Sequence, residues 1–212
     1  MRQVLLATIA LTLVSCGSAP PPIALDGQWP AKVKRDYNDV TRAWTRQGSL
    51  NGSFRDGLSK LLDVTATFRS PEWRTAYVDF RAKRELMPAS RRSQLLAEQR
   101  TEDEKYYEVV LLVMTHTFRE NDLQKGNRSV WRVALVDTSG KEVEASEVES
   151  VRVPQEILRA YYPALKPRHE VYVARFPKEG VDIFQGGAER FSLKVASARG
   201  GVELIWNSKN KK

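Results

Sequence analysis

The chain of 212 residues contains one cysteine and two histidines. A single cysteine cannot form an internal disulfide, so the folded part has to be held by a packed core. A zinc centre needs several converging ligands. His116 and His169 are far apart, both in stretches that read as strand, and a regular strand sends His169 and Glu170 to opposite faces. No metal site is expected.

Phosphate-loop and dinucleotide fingerprints are also missing. The nearest approach to a hydrolase elbow, Gly48-Ser49-Leu50-Asn51-Gly52, has its serine in the wrong place. Glycoside cleavage needs two carboxylates held across a cleft. Asp79, Glu85, Asp103 and Glu108 read better as solvated surface groups than as such a pair. The sequence therefore nominates no catalytic residue and no cofactor, and non-enzymatic work is the leading expectation.

A membrane-spanning helix needs about 20 consecutive apolar residues, and the run from Val4 to Val14 is too short for one. That run follows the positive charge of Arg2 and leads into Leu13-Val14-Ser15-Cys16-Gly17. Charge, short apolar stretch, small residue and cysteine in this order resemble the bacterial lipoprotein signal with its lipobox. The resemblance covers residues 1–22 only. It implies cleavage after Ser15, diacylglyceryl and acyl modification of Cys16, and attachment of the mature chain to a membrane. No aspartate follows Cys16, which by the same resemblance favours the outer membrane over the inner. Ser18-Ala19-Pro20-Pro21-Pro22 reads as a stiff extended start to a tether ending near residue 36.

Removing the signal leaves about 200 residues, a single domain of ordinary size. The net charge is +8, and the basic residues are dispersed apart from Arg91-Arg92 and the tail Lys209-Asn210-Lys211-Lys212. No nucleic-acid motif accompanies this excess. Solubility is the simplest reason for it, with anionic lipid or lipopolysaccharide as the alternative contact.

Along the body, residues 39–46 read as a strand because Val40, Arg42 and Trp44 alternate with Thr41, Ala43 and Thr45. Residues 47–56 read as a loop. Leu62, Val64, Ala66 and Phe68 alternate as a half-buried strand. Ser70-Pro71-Glu72 is a helix start, and Trp73, Tyr77 and Phe80 then share a core-facing stripe. Pro88 ends that helix, and Ser90–Glu104 forms a second, strongly polar one whose main apolar contacts are Leu95 and Leu96.

Val109 to Met114 is apolar at both parities and reads as a central strand. Trp131, Val133 and Leu135 lead through the turn at Asp137-Thr138-Ser139-Gly140 to Val143 and Ala145, a strand extended by Val151 and Val153. The acidic stretch Glu142–Glu149 suits a charged sheet edge. A helical turn over about 154–162, a strand at Val171–Phe176, and strands carrying Phe191 to Val195 and Val202 to Trp206 complete the chain.

The expected fold is mainly β: an immunoglobulin-like antiparallel sandwich over residues 37–208, with a helical insertion at about 70–104. The expected function is that of a lipid-anchored interaction module of an envelope complex with a protein partner. An envelope enzyme acting on wall glycan, peptide or lipid, and a lipid or lipopolysaccharide carrier, are the alternatives. Closure of the sandwich by Trp131, Leu135, Leu193, Leu204 and Trp206 counts against the carrier.

Overall fold

Alternating apolar residues separated by turn chemistry give nine strands among the described residues: β1 (Thr45–Asn51), β2 (Lys60–Phe68), β3 (Tyr106–Thr115), β4 (Arg132–Val136), β5 (Glu142–Glu144), β6 (Glu147–Ser150), β7 (Glu170–Pro177), β8 (Arg190–Ser197) and β9 (Gly200–Asn207). The structure is a computed structural model that describes residues 21, 23–52, 59–179, 181–184 and 188–208. The signal, Cys16 and the basic tail 209–212 lie outside the described residues.

The strands form two antiparallel sheets, one ordered β1-β2-β3-β7-β6 and the other β5-β4-β8-β9. They pack as a β-sandwich whose buried side chains make one cluster. Phe191 stacks on Trp206 with centroids 5.0 Å apart, and Phe68 lies 4.9 Å from Phe191, so aromatic rings join the two sheets. Trp131, Leu135, Leu193, Leu204 and Trp206 are all buried in this cluster.

Four α-helices among the described residues accompany the sheets: α1 (Tyr37–Ala43), α2 (Pro71–Arg84), α3 (Ala89–Lys105) and α4 (Gln155–Tyr161). The helical pair α2–α3 fills the connection between β2 and β3, which pair antiparallel from Leu62↔Thr115 to Phe68↔Val109. The Ser70 hydroxyl accepts the Trp73 N–H at 3.1 Å and Pro71 occupies the first turn of α2.

Several local expectations are corrected. Residues 37–43 are helix rather than strand. Tyr37, Val40, Thr41, Ala43 and Trp44 are buried, at i, i+3, i+4, i+6 and i+7, one face of a helix, and the Asp36 side chain caps the Asn38 N–H at 2.8 Å. That spacing outweighs the strand preference of the threonines. The predicted loop at 47–56 is strand β1 as far as Asn51, and the Cβ that Gly48 lacks would sit 2.9 Å from a Leu204 methyl. Gly48 lets the two sheets approach and does not turn the chain.

Val151 and Val153 do not extend β5. The Ala145 N–H bonds Val133 O in one sheet, while the Ser146 N–H bonds Arg175 O in the other, so the chain changes sheets between adjacent residues. β5 and β6 thus become edges of different sheets, both carrying glutamates. The stretch read as tether packs onto the body from Ile23, which is buried with Leu25 and bridges to Ser208.

The cap sets a first expectation. Ser70→Ala lowers unfolding free energy by about 1 kcal/mol, measured by urea denaturation with an unchanged m value.

Candidate functional site

β3 carries one carboxylate among apolar residues, and the fold buries it. Glu108 is 2% exposed and stands in register opposite Arg175 of β7. Arg175 Nε donates to Oε1 at 3.0 Å. Oε2 accepts from Arg74 Nη2 at 2.7 Å and from Arg69 Nη1 at 3.2 Å. Arg74 is fully buried in α2, and its remaining donors reach Arg69 O at 3.0 Å and Gln99 Oε1 of α3 at 2.9 Å. Its Nε also lies 3.7 Å from buried Asp103, which Lys178 approaches at 3.3 Å. Arg175 continues outward to Glu147 and Glu149 on β6. One ionic cluster thus ties β3, β6, β7, α2 and α3 together.

Aromatic rings flank the cluster. Trp73 stacks between Tyr77 at 5.1 Å and Tyr162 at 6.0 Å, and the Arg69 guanidinium sits over it at 5.6 Å. The Tyr162 hydroxyl accepts from Arg69 at 3.1 Å. The stripe predicted on α2 therefore packs inward against α1 and α4; Phe80 stacks on Tyr37 at 4.4 Å.

Burial by itself would raise the Glu108 carboxyl. The charges and hydrogen bonds of Arg69 and Arg74 outweigh it and bring the group down to about 2. A carboxylate this acidic, buried and with both oxygens bonded to guanidinium donors, is a poor proton acceptor. Its work is structural. The reading of Asp103 and Glu108 as surface groups is thus corrected, whereas Asp79 and Glu85 do lie nearer solvent, paired with Arg92 and Arg81.

Neither histidine is in a strand. His116 follows β3 and is exposed; His169 precedes β7 and is buried. The His169 Nδ1 accepts the Lys166 N–H at 3.3 Å, and its Nε2 is buried with no partner. Burial holds this imidazole below its ordinary value, against the opposing pull of Asp63. No group of three or more His, Cys, Asp or Glu is placed to hold a metal among the described residues. The grooves on the described surface include one of about 890 Å³ lined by Leu123, Trp131, Val133, Glu144, Val148 and Ala196, which holds no histidine or cysteine.

The outer face of α3 is the main solvated surface that the cluster braces. In this 17-residue helix only Leu95 and Asp103 are buried, while Ser93, Gln94, Ala97, Glu98, Arg100 and Thr101 face solvent. Arg100 also lies over Trp29 at 5.3 Å. Compared with known protein families, characterised proteins and solved structures, the chain matches none. Fold and site together define an antiparallel β-sandwich carrying an ionically braced helical pair.

Two outcomes are expected. Glu108→Gln leaves buried Arg74 and half-buried Arg69 short of counter-charge and lowers stability by roughly 3–5 kcal/mol in chemical denaturation. On acidification, the unfolded chain takes up a proton at His169 near the ordinary value of 6.5 that the folded chain resists, so stability declines below that pH. A second decline follows as pH falls from 4.5 towards 2, where Glu108 is protonated first in the unfolded chain. Denaturation midpoints measured across that range check both, and His169→Gln removes the first decline only.

Proposed function

We propose that the chain is a lipid-anchored, non-enzymatic module of the cell envelope, held through acylated Cys16, with the outer membrane as its favoured location. Its protein partner docks on the solvent face of α3. The observation that carries this reading is the combination of rigidity and exposure in α3. The helix buries two residues, yet Gln99 and Asp103 fasten it to the buried ionic cluster. A helix with so little apolar area to bury gains little from packing. Bracing it with desolvated charges favours a fixed geometry over maximal stability. A fixed, polar, solvated face is what a specific partner needs, because little ordering entropy remains to be lost on docking.

Removing the whole helix is a poor test, since Leu95, Gln99 and Asp103 are structural. The double substitution Ser93→Arg/Ala97→Arg changes only exposed positions one turn apart. Its stability is expected to stay within about 0.5 kcal/mol of the parent chain. A photo-crosslinker at Gln94, in cells of the native host, is expected to capture one protein at near-equal amount, and the double substitution to abolish that product. Unchanged crosslinking would exclude this face. Palmitate labelling lost in Cys16→Ser is the separate expectation for the anchor; labelling that persists would contradict it.

A further inference from the structure

The corner between α2 and α3 is built against its own stability. Leu86 follows the C-cap Glu85 with φ +51, in the left-handed region, and the Met87 N–H returns to Ala82 O at 2.9 Å. Glycine is the usual residue at this place in a helix stop, because a Cβ is strained there. Here the residue is a leucine that is 88% exposed, so little packing offsets the strain.

Lys83, Arg84 and Arg91 around it are exposed, as are Pro88, Ala89 and Ser90. From Arg81 to Arg92 the sequence holds five basic residues and one acidic residue, Glu85. Arg81 pairs with Glu85, Arg92 with Asp79 and Arg91 with Glu98. Among the described residues Lys83 and Arg84 have no carboxylate partner; Arg84 lies over the Phe80 ring at 5.9 Å. The corner is tied to α4, where the Tyr161 hydroxyl donates to Glu85 at 2.8 Å. Ile157, one turn earlier on α4, is also exposed.

We propose that this corner is a contact for an anionic phospholipid surface, with Leu86 entering the interfacial layer and Lys83, Arg84 and Arg91 meeting lipid phosphates. An apolar tip beside Lys83 and Arg84, which lack a carboxylate partner, and the half-exposed Arg91–Glu98 pair complements that surface in both chemistry and sign. A protein partner would have to offer an apolar pocket within an acidic rim, a narrower requirement. The setting rests on the lipoprotein reading, but the contact does not use the acyl group. It would orient the body at the membrane by a second point besides the tether.

The test uses the full chain with Cys16→Ser and Ser90→Cys, an environment-sensitive dye on the new thiol, and vesicles of phosphatidylglycerol or phosphatidylcholine. The same dye at Ser139→Cys, on the β4–β5 turn, is the reference. The proposal expects the dye at 90 to blue-shift and to be quenched by lipid-borne quenchers on phosphatidylglycerol only, with no response at 139. Leu86→Gly, and separately Lys83→Glu/Arg84→Glu, each weaken the response about tenfold. Leu86→Gly does so while raising the urea midpoint, so unfolding cannot explain the loss.

An equal response on phosphatidylcholine, an equal response at 139, or an undiminished response in Leu86→Gly overturns the proposal. A response that follows protein concentration without vesicles also overturns it and assigns the corner to a second copy of the chain. Because the acyl group is absent throughout, failure here leaves the anchor to be judged by palmitate labelling alone.

Discussion

Glu108 and the three arginines around it are the constraint on which the rest of the structure depends. A carboxylate placed in the central sheet, next to strands buried on both faces, would be expelled or protonated if left alone. Three guanidinium groups reach it from β7, from α2 and from the residue just after β2. Arg69 and Arg74 reach Glu108 only once the helical connection has returned to the sheet, and Arg175 only once β7 pairs with β3. The cluster therefore acts as a check on topology: β2, α2, α3, β3 and β7 have to be correctly arranged together before the charges are satisfied. Arginine suits this role better than lysine, since its planar fork can serve Glu108 and a second acceptor at once. Arg74 does so with Gln99 and Arg69 O, Arg69 with Tyr162, and Arg175 with Glu147 and Glu149.

The same cluster explains how a polar helix persists on the outside of a sandwich. α3 buries too little apolar surface to be held by the hydrophobic effect, and Pro88 at its start supplies no side-chain cap. It is held from below, at Gln99 and Asp103, so its upper face stays free. The aromatic stack of Tyr77, Trp73 and Tyr162 provides the apolar half of the same joint, covering the Arg69 guanidinium and strengthening its attraction to Glu108 by excluding water. In the envelope reading, the sandwich is the scaffold, the ionic joint sets the orientation of the helical pair, and the outer surfaces of that pair meet other molecules.

Much of the architecture was legible in the sequence, for reasons that can be located. Period-2 alternation at 62–68, 131–135, 191–195 and 202–206, and apolar residues at both parities in 109–114, mark real strands, and Ser70-Pro71 marks a real helix start. The helix at 37–43 was hidden by Thr41 and by Thr45 just beyond it, although Asp36 and the i, i+3, i+4, i+7 spacing of Tyr37, Val40, Thr41 and Trp44 were there to be read. The change of sheet after Ala145 was not visible, because it depends on which strand edge each N–H finds. The ionic cluster had a signal that alternation does not measure: a glutamate inside an apolar strand implies a buried cation elsewhere. Which arginines supply it follows only from the pairing register. Leu86 left no trace in the sequence, since neither its exposure nor its positive φ follows from its neighbours. The resemblance to a lipobox is the opposite case: it rests on the residues around Cys16, which lie outside the described part of the structure.

The account stands on the claim that α3 is fastened to the sheet as one cooperative unit, despite its exposure. Native-state amide hydrogen exchange across a denaturant series measures this directly. The account predicts that interior amides of α3 exchange with the same opening free energy and the same denaturant dependence as those of β3. Exchange of α3 through a separate opening of low free energy, with β3 still protected, would contradict it.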